Sequence, residues 1–551
     1  MQQRFAVVAD PHVHDIRGDY RLGRIGADRL PARLELRTLA DSARSTRLFN
    51  ESGHAFRAAL DDIAARGIRH VIVVGDYSDD GQEASVTAAL ALMRSYGERF
   101  GMRFYATVGN HDVYGDTGRS LDRRFLLANG NHFTVSGSKS DDGERTIFNP
   151  AMRCRSYAQG LPSALGFFRD GHELHWETPF GPSDALADRQ YTVASPDGRR
   201  HRRFIDASYL VEPSPGVWLL SIDGNVFVPR NGDGFRRPED AFDDSTDAGY
   251  NALVRHRPYL IDWIADIVRR ADEQGKRLVA FTHYPAVDPF DDTHGDEERL
   301  LGRTVFVRRT PLAATAAVLA QTGLRLHFSG HLHIDNVTTE DGLTNVAVPS
   351  TAGYPGGYRI LTLHADGAEL ETVRLASHPL DPAILSAYRT EADQTDIDAG
   401  GLLEAADYEA FIHAHLRGVI RHRFFATEWP EALQREIGRL TLADLIRQAD
   451  SVATLPSEAL APLEHLPAMY LVEATYVARH NGAWRYEISP AERGLLESLL
   501  PAGRGEGPGL AATILRNFRR HFDKPDFRRI AFSRDWTPVC EDGRHFRRKI
   551  A

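Results

Sequence analysis

Cysteine is scarce in this chain. The 551 residues include two cysteines, Cys154 and Cys540, which lie far apart in the sequence. Two such residues provide neither a disulfide framework nor a thiolate metal site. Any metal that this chain binds must therefore be held by nitrogen and oxygen atoms.

Long apolar runs are also lacking. No stretch of the sequence is long enough to span a bilayer, and the chain enters an apolar, strand-like run at Phe5 to Ala9. We therefore expect neither a transmembrane segment nor a signal peptide within this numbering. The default location is the cytoplasm, whereas a leader removed before residue 1 would indicate a secreted or periplasmic protein.

A large excess of one charge is the third missing feature. The net charge is −10, with 42% hydrophobic and 26% charged residues. These values indicate a globular chain with a full core and two or three structural units. The mild acidity disfavours nucleic acid as a partner, and no feature predicts an oligomeric interface.

What the sequence does contain is a series of polar motifs, each placed directly after an apolar run that predicts a buried strand. In chain order they are Asp10-Pro11-His12-Val13-His14, Gly75-Asp76-Tyr77-Ser78-Asp79-Asp80, Gly109-Asn110-His111-Asp112, His283-Tyr284, and Gly330-His331-Leu332-His333. Each motif alone is also compatible with an ordinary polar turn. Because α/β sheets place their chemistry at the carboxyl ends of strands, the repeated position predicts one shared site.

The residue types in these motifs suit metal binding. In Asp10-x-His12 and His331-x-His333, residues two apart on an extended backbone project to the same side. The Asp76 carboxylate can bridge two cations because each of its oxygens can take one. Carboxylate, amide and imidazole ligands without cysteine suit Mn, Fe or Zn rather than Ca or Mg.

Taken in order, Asp-x-His, Gly-Asp-x-x-Asp, Gly-Asn-His-Asp, a lone His and Gly-His-x-His resemble the signature of the calcineurin-like metallophosphoesterases. The resemblance covers roughly Arg4 to Leu375. It implies an α/β fold in which a β-sandwich is flanked by helices in four αββα layers. It also implies two transition metal ions of the Mn, Fe or Zn type.

The resemblance assigns roles to residues of this chain. The first metal would be held by Asp10, His12, Asp76 and His333, and the second by Asp76, Asn110, His283 and His331. His111 would protonate the leaving alkoxide, and Asp112 would hold the orientation of His111. His14, Asp79, Asp80 and Tyr284 would surround the metals or contact the substrate.

Branches of the family differ at particular positions. Purple acid phosphatases have a tyrosine ligand where this chain has Asp79, and they lack the first-motif histidine. Protein serine/threonine phosphatases favour Glu where this chain has Asp112 and lack Gly-His-x-His. The remaining motifs look most like the phosphodiesterase branch, which includes class III cyclic nucleotide phosphodiesterases and acid sphingomyelinase-like enzymes.

The resemblance therefore implies hydrolysis of a phosphodiester, either small and nucleotide-like or linked to a lipid. The attack would be in line, by a hydroxide shared between the two metals. A phosphomonoesterase or a nuclease of the same family is the alternative within the class. A binding scaffold that keeps the fold without catalysis is the alternative outside it.

The domain organisation has two further features. A catalytic domain is expected over residues 1–375, with an insertion at about 113–215. Within the insertion, the aromatic and basic stretch from Arg153 to Trp176 forms either a lid over the substrate or a small core of its own. A mostly helical unit is expected over residues 376–551. Its basic, aromatic tail either contacts a polyanion, reaches an active site, or forms a solvated and partly packed terminus.

Overall fold

The computed structural model describes residues 2–22, 29–139, 145–244, 246–247, 249–449, 460–505, 507 and 509–539. Cys540 and the tail residues Arg547, Arg548 and Lys549 lie outside the described residues. Within the described part, no helix is both long enough and apolar enough to cross a membrane.

The strands, in chain order, are β1 (Gln3–Val8), β2 (His70–Val74), β3 (Arg103–Thr107), β4 (Asp122–Leu126), β5 (His132–Ser136), β6 (Thr146–Phe148), β7 (His175–Glu177), β8 (Gln190–Ala194), β9 (His201–Ile205), β10 (Tyr209–Ser214), β11 (Val217–Ile222), β12 (Val228–Pro229), β13 (Phe242–Asp243), β14 (Arg277–Thr282), β15 (Leu326–Ser329), β16 (Asn336–Glu340), β17 (Leu343–Ala347), β18 (Gly357–Leu363), β19 (Gly367–Arg374), β20 (Arg529–Ser533) and β21 (Pro538–Val539). The first main sheet has the order β21-β20-β19-β18-β1-β2-β3, and the second has the order β16-β17-β15-β14-β11-β10-β7. In the first sheet β1, β2 and β3 are parallel, and in the second β11, β14, β15 and β17 are parallel.

The α-helices, in chain order, are Leu39–Ser42, Ser52–Ala65, Glu83–Phe100, Tyr157–Gly160, Tyr250–His256, Pro258–Glu273, Glu298–Leu301, Val305–Arg309, Ala313–Gln321, Pro382–Gln394, Tyr408–Val419, Glu431–Ile437, Leu442–Gln448, Met469–His480, Pro490–Ser498 and Leu510–Phe522. Two segments, Thr293–Glu297 and Ile420–Glu428, are π-helical.

The two main sheets pack face to face, as the alternation along β14 shows. Val279 and Phe281 belong to the core shared with the first sheet, whereas Leu278 and Ala280 pack against the helices on the other side. Helices Ser52–Ala65 and Glu83–Phe100 contribute buried side chains to the core of the first sheet. The result is the expected arrangement of two sheets between two layers of helices.

The segment at 113–215 differs in part from the expected insertion. It includes a three-stranded sheet and the β8–β9 hairpin, but β7 and β10 pair within the second main sheet. β10 forms a hairpin with β11, and Glu212 and Pro213 interrupt its apolar pattern. That interruption hides the strand in the sequence, whereas in the structure β10 belongs to the second main sheet.

The C-terminal region is helical up to Phe522, as expected, but its last strands return to the first sheet. β20 pairs with β19, with Ile530 and Phe532 buried and Arg529 and Ala531 exposed. The tail cations that are described face carboxylates of the same chain: Arg520 pairs with Asp292, Lys524 with Asp291, and Arg529 with Glu371. This arrangement agrees with a packed terminus.

The C-terminal helices share a hydrophobic core with the loops around the sheet edge where the polar motifs lie. Phe411 and Leu416 of that unit belong to one cluster with Leu48, Leu332 and Tyr354. The helical unit therefore supports the same edge of the sandwich that carries the motifs.

Candidate metal centre

The seven residues expected as metal ligands meet at one edge of the sandwich. They follow β1, β2, β3, β14 and β15, and each is at most 8% exposed: Asp10, His12, Asp76, Asn110, His283, His331 and His333. Two sets of donor atoms within 4.8 Å of one another are Asp10, His12 and His333, and Asp10, Asp76 and His283. The geometric condition for one shared site is thus met.

The first group of donor atoms is centred on two imidazoles. Nε2 of His12 lies 3.0 Å from Nε2 of His333, and Nε2 of His333 lies 3.3 Å from Oδ1 of Asp10. Oδ2 of Asp76 is 3.6 Å from Nε2 of His12.

The second group lies on the other side of Asp76. Nε2 of His283 is 3.1 Å from Oδ2 of Asp76 and 3.1 Å from Oδ1 of Asn110. Nδ1 of His331 is 3.2 Å from Nε2 of His283. The same carboxylate oxygen of Asp76 therefore faces both groups, which is the position that a bridging ligand requires.

The outer nitrogens of three imidazoles contact backbone carbonyls. Nδ1 of His333 is 3.0 Å from the carbonyl of Thr46, Nε2 of His331 is 2.9 Å from that of Thr246, and Nδ1 of His283 is 3.0 Å from that of Val74. A carbonyl only accepts, so each of these nitrogens carries a proton and the opposite nitrogen directs its lone pair inward.

The donor set fits cations. Imidazole nitrogens, carboxylate oxygens and an amide oxygen face one another at 3.0–3.3 Å, and these are ligand types that bind transition metals. Burial lowers the pKa of His283, but the carboxylates of Asp76 and Asp10 outweigh burial and raise it to about 9. The site thus attracts positive charge even at an imidazole.

Five of the seven expected ligands have an unusual backbone conformation. Asp10, His12, Asp76, His331 and His333 all have positive φ, between 45° and 71°. This conformation costs non-glycine residues about 1–3 kcal/mol each, and it persists where the surrounding structure imposes it. Clustering of such residues in one buried pocket is typical of a functional site.

Gly109 is required because the Asp76 carboxylate occupies the space of a side chain. A Cβ at this position would lie 2.0 Å from Oδ1 of Asp76 and 2.6 Å from its backbone nitrogen. The Gly109→Ala variant is therefore expected to displace Asp76, to lower the bound metal to one ion or fewer per chain, and to cost about 1–3 kcal/mol of stability.

Elemental analysis and thermal unfolding of the purified variant test this expectation. Gly418→Ala serves as the control, because Gly418 lies in a helix and a Cβ there meets nothing within 4 Å. Retention of the wild-type metal content by the Gly109 variant would contradict the assigned role of the Asp76 carboxylate.

The imidazole of His111 is held by Asp80 and not by Asp112. Nδ1 of His111 lies 2.7 Å from Oδ1 of Asp80, whereas the Asp112 carboxylate accepts hydrogen bonds from the backbone nitrogens of Asp76 (2.7 Å), Gly109 (2.9 Å) and Ser78 (3.1 Å). Asp112 therefore does not have the expected role of orienting His111. Its carboxylate joins the loops after β2 and β3, and the bonds to their backbone direct the carboxylate away from the His111 ring.

Asp79 and Asp80 are surrounded by arginines that sequence reasoning did not identify. Asp79 accepts from Arg37 (3.0 Å) and Arg47 (3.0 Å), and Asp80 accepts from Arg123 at 2.8 Å. Burial raises the pKa of Asp80, but Arg123 and Arg47 outweigh burial and hold it well below its ordinary value. Asp80 is therefore an ionised partner for His111. The sequence signal for Arg47 is weak, because this residue lies in an arginine-rich connection between β1 and β2.

The other two expected neighbours differ in position. The ring of Tyr284 packs against those of His331 and His283, with centroids 4.7 and 5.3 Å apart, and its hydroxyl donates to Asn225. His14 instead contacts the carbonyl of Glu35 and stacks on Tyr20. Tyr284 thus forms a wall of the centre, whereas the contacts of His14 are structural.

The stretch from Arg153 to Trp176 is mostly packed into the protein. Tyr157 is buried and donates to Asp223, Phe167 packs on Tyr209, and Trp176 lies in β7 with its indole donating to the carbonyl of Gly166. Its aromatic residues therefore agree with the core interpretation of this segment rather than with a lid.

Comparisons with known proteins place this geometry in a family. Residues 3–335, more than half of the chain, match the model described as calcineurin-like phosphoesterase. No curated protein matches the sequence.

Among solved structures, a dimetal phosphatase from Danio rerio is 12% identical, with 68% of this chain and 96% of that chain covered and a TM-score of 0.35. GAP50, the anchor in the inner membrane complex of Plasmodium, is 11% identical, with 71% and 94% covered and a TM-score of 0.28. A Staphylococcus aureus protein named as a 5′-nucleotidase is 12% identical, with 71% and 58% covered and a TM-score of 0.29.

The family model covers all five motifs, from Asp10 to His333. The chain therefore belongs to the calcineurin-like phosphoesterase family.

Proposed function

We propose that the protein is a dinuclear metal-dependent phosphoesterase that hydrolyses a phosphodiester. The observation that carries the proposal is the convergence of six buried donor side chains on either side of a seventh, Asp76, with the His111–Asp80 pair beside them. When bound, two metal ions would supply a nucleophile at neutral pH and a clamp for the phosphoryl oxygens.

Residues of the chain would bind the metals, donate a proton to the leaving group and position the proton donor. Asp10, His12 and His333 would hold one cation, Asn110, His283 and His331 would hold the other, and the Asp76 carboxylate faces both groups. His111 donates its ring proton to the leaving oxygen, and Asp80 fixes the ring for that transfer. Tyr284 keeps water away from the face of the His331 ring that it covers.

The charges near His111 favour a diester over a monoester. Asp79 and Asp80 already engage Arg37, Arg47 and Arg123. A phosphodiester carries one negative charge at the reacting phosphorus, whereas a monoester carries nearly two and calls for cations that are free to pair with it. These engaged arginines support a diester substrate, either small and nucleotide-like or lipid-linked.

Metal loading and substrate preference test the proposal together. The full-length protein, prepared with Mn²⁺, is expected to hold two transition metal ions per chain and to hydrolyse bis(p-nitrophenyl) phosphate at least tenfold faster than p-nitrophenyl phosphate. Chelation is expected to remove the activity and added Mn²⁺ to restore it.

Other outcomes would select the alternatives. Faster hydrolysis of the monoester would indicate a phosphomonoesterase, and degradation of single-stranded DNA would indicate a nuclease. Less than one metal per chain without any hydrolysis would indicate a binding scaffold.

A further inference from the structure

The π-helical segment Ile420–Glu428 of the C-terminal unit links two loops that flank the metal centre. At one end, Nη1 of Arg423 donates to the carbonyl of Arg44 at 3.3 Å. At the other end, Oε2 of Glu428 accepts from the backbone nitrogen of Val305 at 3.0 Å. π-Helical turns are rare and frequently lie at functional sites.

One of these segments contacts an expected ligand directly, and the other is linked to one through an ion pair. Arg44 lies two residues before Thr46, whose carbonyl contacts His333 at 3.0 Å. The helix Val305–Arg309 ends at Arg309, which pairs with Asp247 at 3.2 Å. Asp247 follows Thr246 in the sequence, and the carbonyl of Thr246 contacts the ring of His331. From a unit outside the motif region, Arg423 therefore contacts a turn whose Thr46 carbonyl lies against the ring of His333.

Arg423 lacks the carboxylate partner that several nearby arginines have. Arg309 and Arg308 pair with Asp247, Arg47 with Asp79, and Arg421 with Glu473. Over the described residues, Arg423 forms no ion pair within 4 Å, and its guanidinium donates to the carbonyl of Arg44.

The charges around Arg423 are mostly of its own sign. Burial lowers the pKa of Arg423, and the positive charges of Arg309, Arg47 and Arg308 lower it further, while Glu428 acts in the opposite direction. A guanidinium in such surroundings gains from an added anion, and its planar fork suits phosphate oxygens.

We propose that Arg423 binds a second phosphate-like group of the substrate, beyond the ester that is hydrolysed. The inference rests on the proposed function, because it assigns to that site substrates that carry a further phosphate. The C-terminal unit would then take part in choosing the substrate as well as supporting the loops.

Methylenediphosphonate and methylphosphonate provide a matched pair of probes, since they differ by one phosphonate group and neither is hydrolysed. Calorimetry measures their binding to the Mn²⁺-loaded full-length protein at constant free Mn²⁺. The wild type is expected to bind the diphosphonate more tightly than the monophosphonate, and Arg423→Gln is expected to lower that ratio of affinities about tenfold. Arg423→Lys is expected to restore part of the ratio, because it keeps the charge without the fork.

Arg421→Gln is the control, since Arg421 lies in the same segment, is half exposed and pairs with Glu473. Its affinity ratio is expected to equal that of the wild type. An unchanged ratio in Arg423→Gln, with a wild-type melting temperature and metal content, would overturn the inference. Failure of the wild type to hydrolyse any phosphoester would overturn the proposed function instead, and the calorimetric ratio would still report on Arg423.

Discussion

The Asp76→Asn variant is expected to lose about 10³-fold or more in kcat/KM and at least one of two bound metal ions. Oδ2 of Asp76 is an anionic oxygen that faces both groups of donors, whereas an asparagine has only one oxygen and that oxygen is neutral. Metal stabilisation of a phosphoryl transition state is worth several kcal/mol, and each tenfold in rate corresponds to about 1.4 kcal/mol.

The substitution leaves the surrounding loop bonds in place. Oδ1 of Asp76 accepts from the backbone nitrogen of His111 at 2.8 Å, which an asparagine oxygen can also do, and the bond from the Asp76 backbone to Asp112 does not involve the side chain. A wild-type fold with an impaired centre is therefore the expected state of the variant.

Elemental analysis and hydrolysis of bis(p-nitrophenyl) phosphate measure the two effects. Asp266→Asn is the matched control, because Asp266 is 44% exposed on the helix Pro258–Glu273 and pairs with Arg269 and Arg270. Two metals per chain and near-normal activity in Asp76→Asn would rule out a bridging role.

The convergence of the seven expected ligands at one edge could be predicted from sequence because the signals are local. An apolar run such as His70–Val74 predicts a buried strand, and the polar residues that follow it must lie at the strand's carboxyl end. Parallel strands bring such ends to one edge, so Asp76 and Asn110 meet even though 33 intervening residues separate them in the sequence.

The partners of those ligands could not be predicted in the same way. Thr46, Arg47 and Thr246 lie on irregular segments without apolar periodicity, and their contacts to His333, His111 and His331 form across large sequence separations. Which carboxylate holds His111 also depends on the folded loops, because Asp112 is next to it in sequence but is directed to the backbone.

Two strands, β10 and β20, could not be predicted from the sequence pattern. β10 contains Glu212 and Pro213, and its glutamate is accommodated because Lys276 and the indole of Trp218 donate to the carboxylate. β20 is a five-residue strand that follows a basic helix, and its place beside β19 is set by pairing with a distant edge. Pairing with a distant strand has little effect on the local pattern of apolar and polar residues.

The second large effect is expected at the His111–Asp80 pair. His111→Gln removes the ring proton that reaches the leaving oxygen and should lower kcat by about 10²–10⁴-fold. Asp80→Asn keeps the ring but loses the ionised partner 2.7 Å from Nδ1, and a loss of about 10–100-fold is expected. Both variants should retain two metals, because neither side chain belongs to the seven ligands.

Aryl phosphodiesters with leaving groups of increasing pKa distinguish proton donation from a general disturbance. A poorer leaving group depends more on the donated proton, so the fall in kcat with leaving-group pKa should be steeper in His111→Gln and Asp80→Asn than in the wild type. Asp112→Asn provides the contrast: it weakens the bonds to the backbone of Asp76, Gly109 and Ser78, so it should lower the melting temperature while leaving the slope at its wild-type value. A steeper slope in Asp112→Asn together with a wild-type slope in Asp80→Asn would return the orienting role to Asp112.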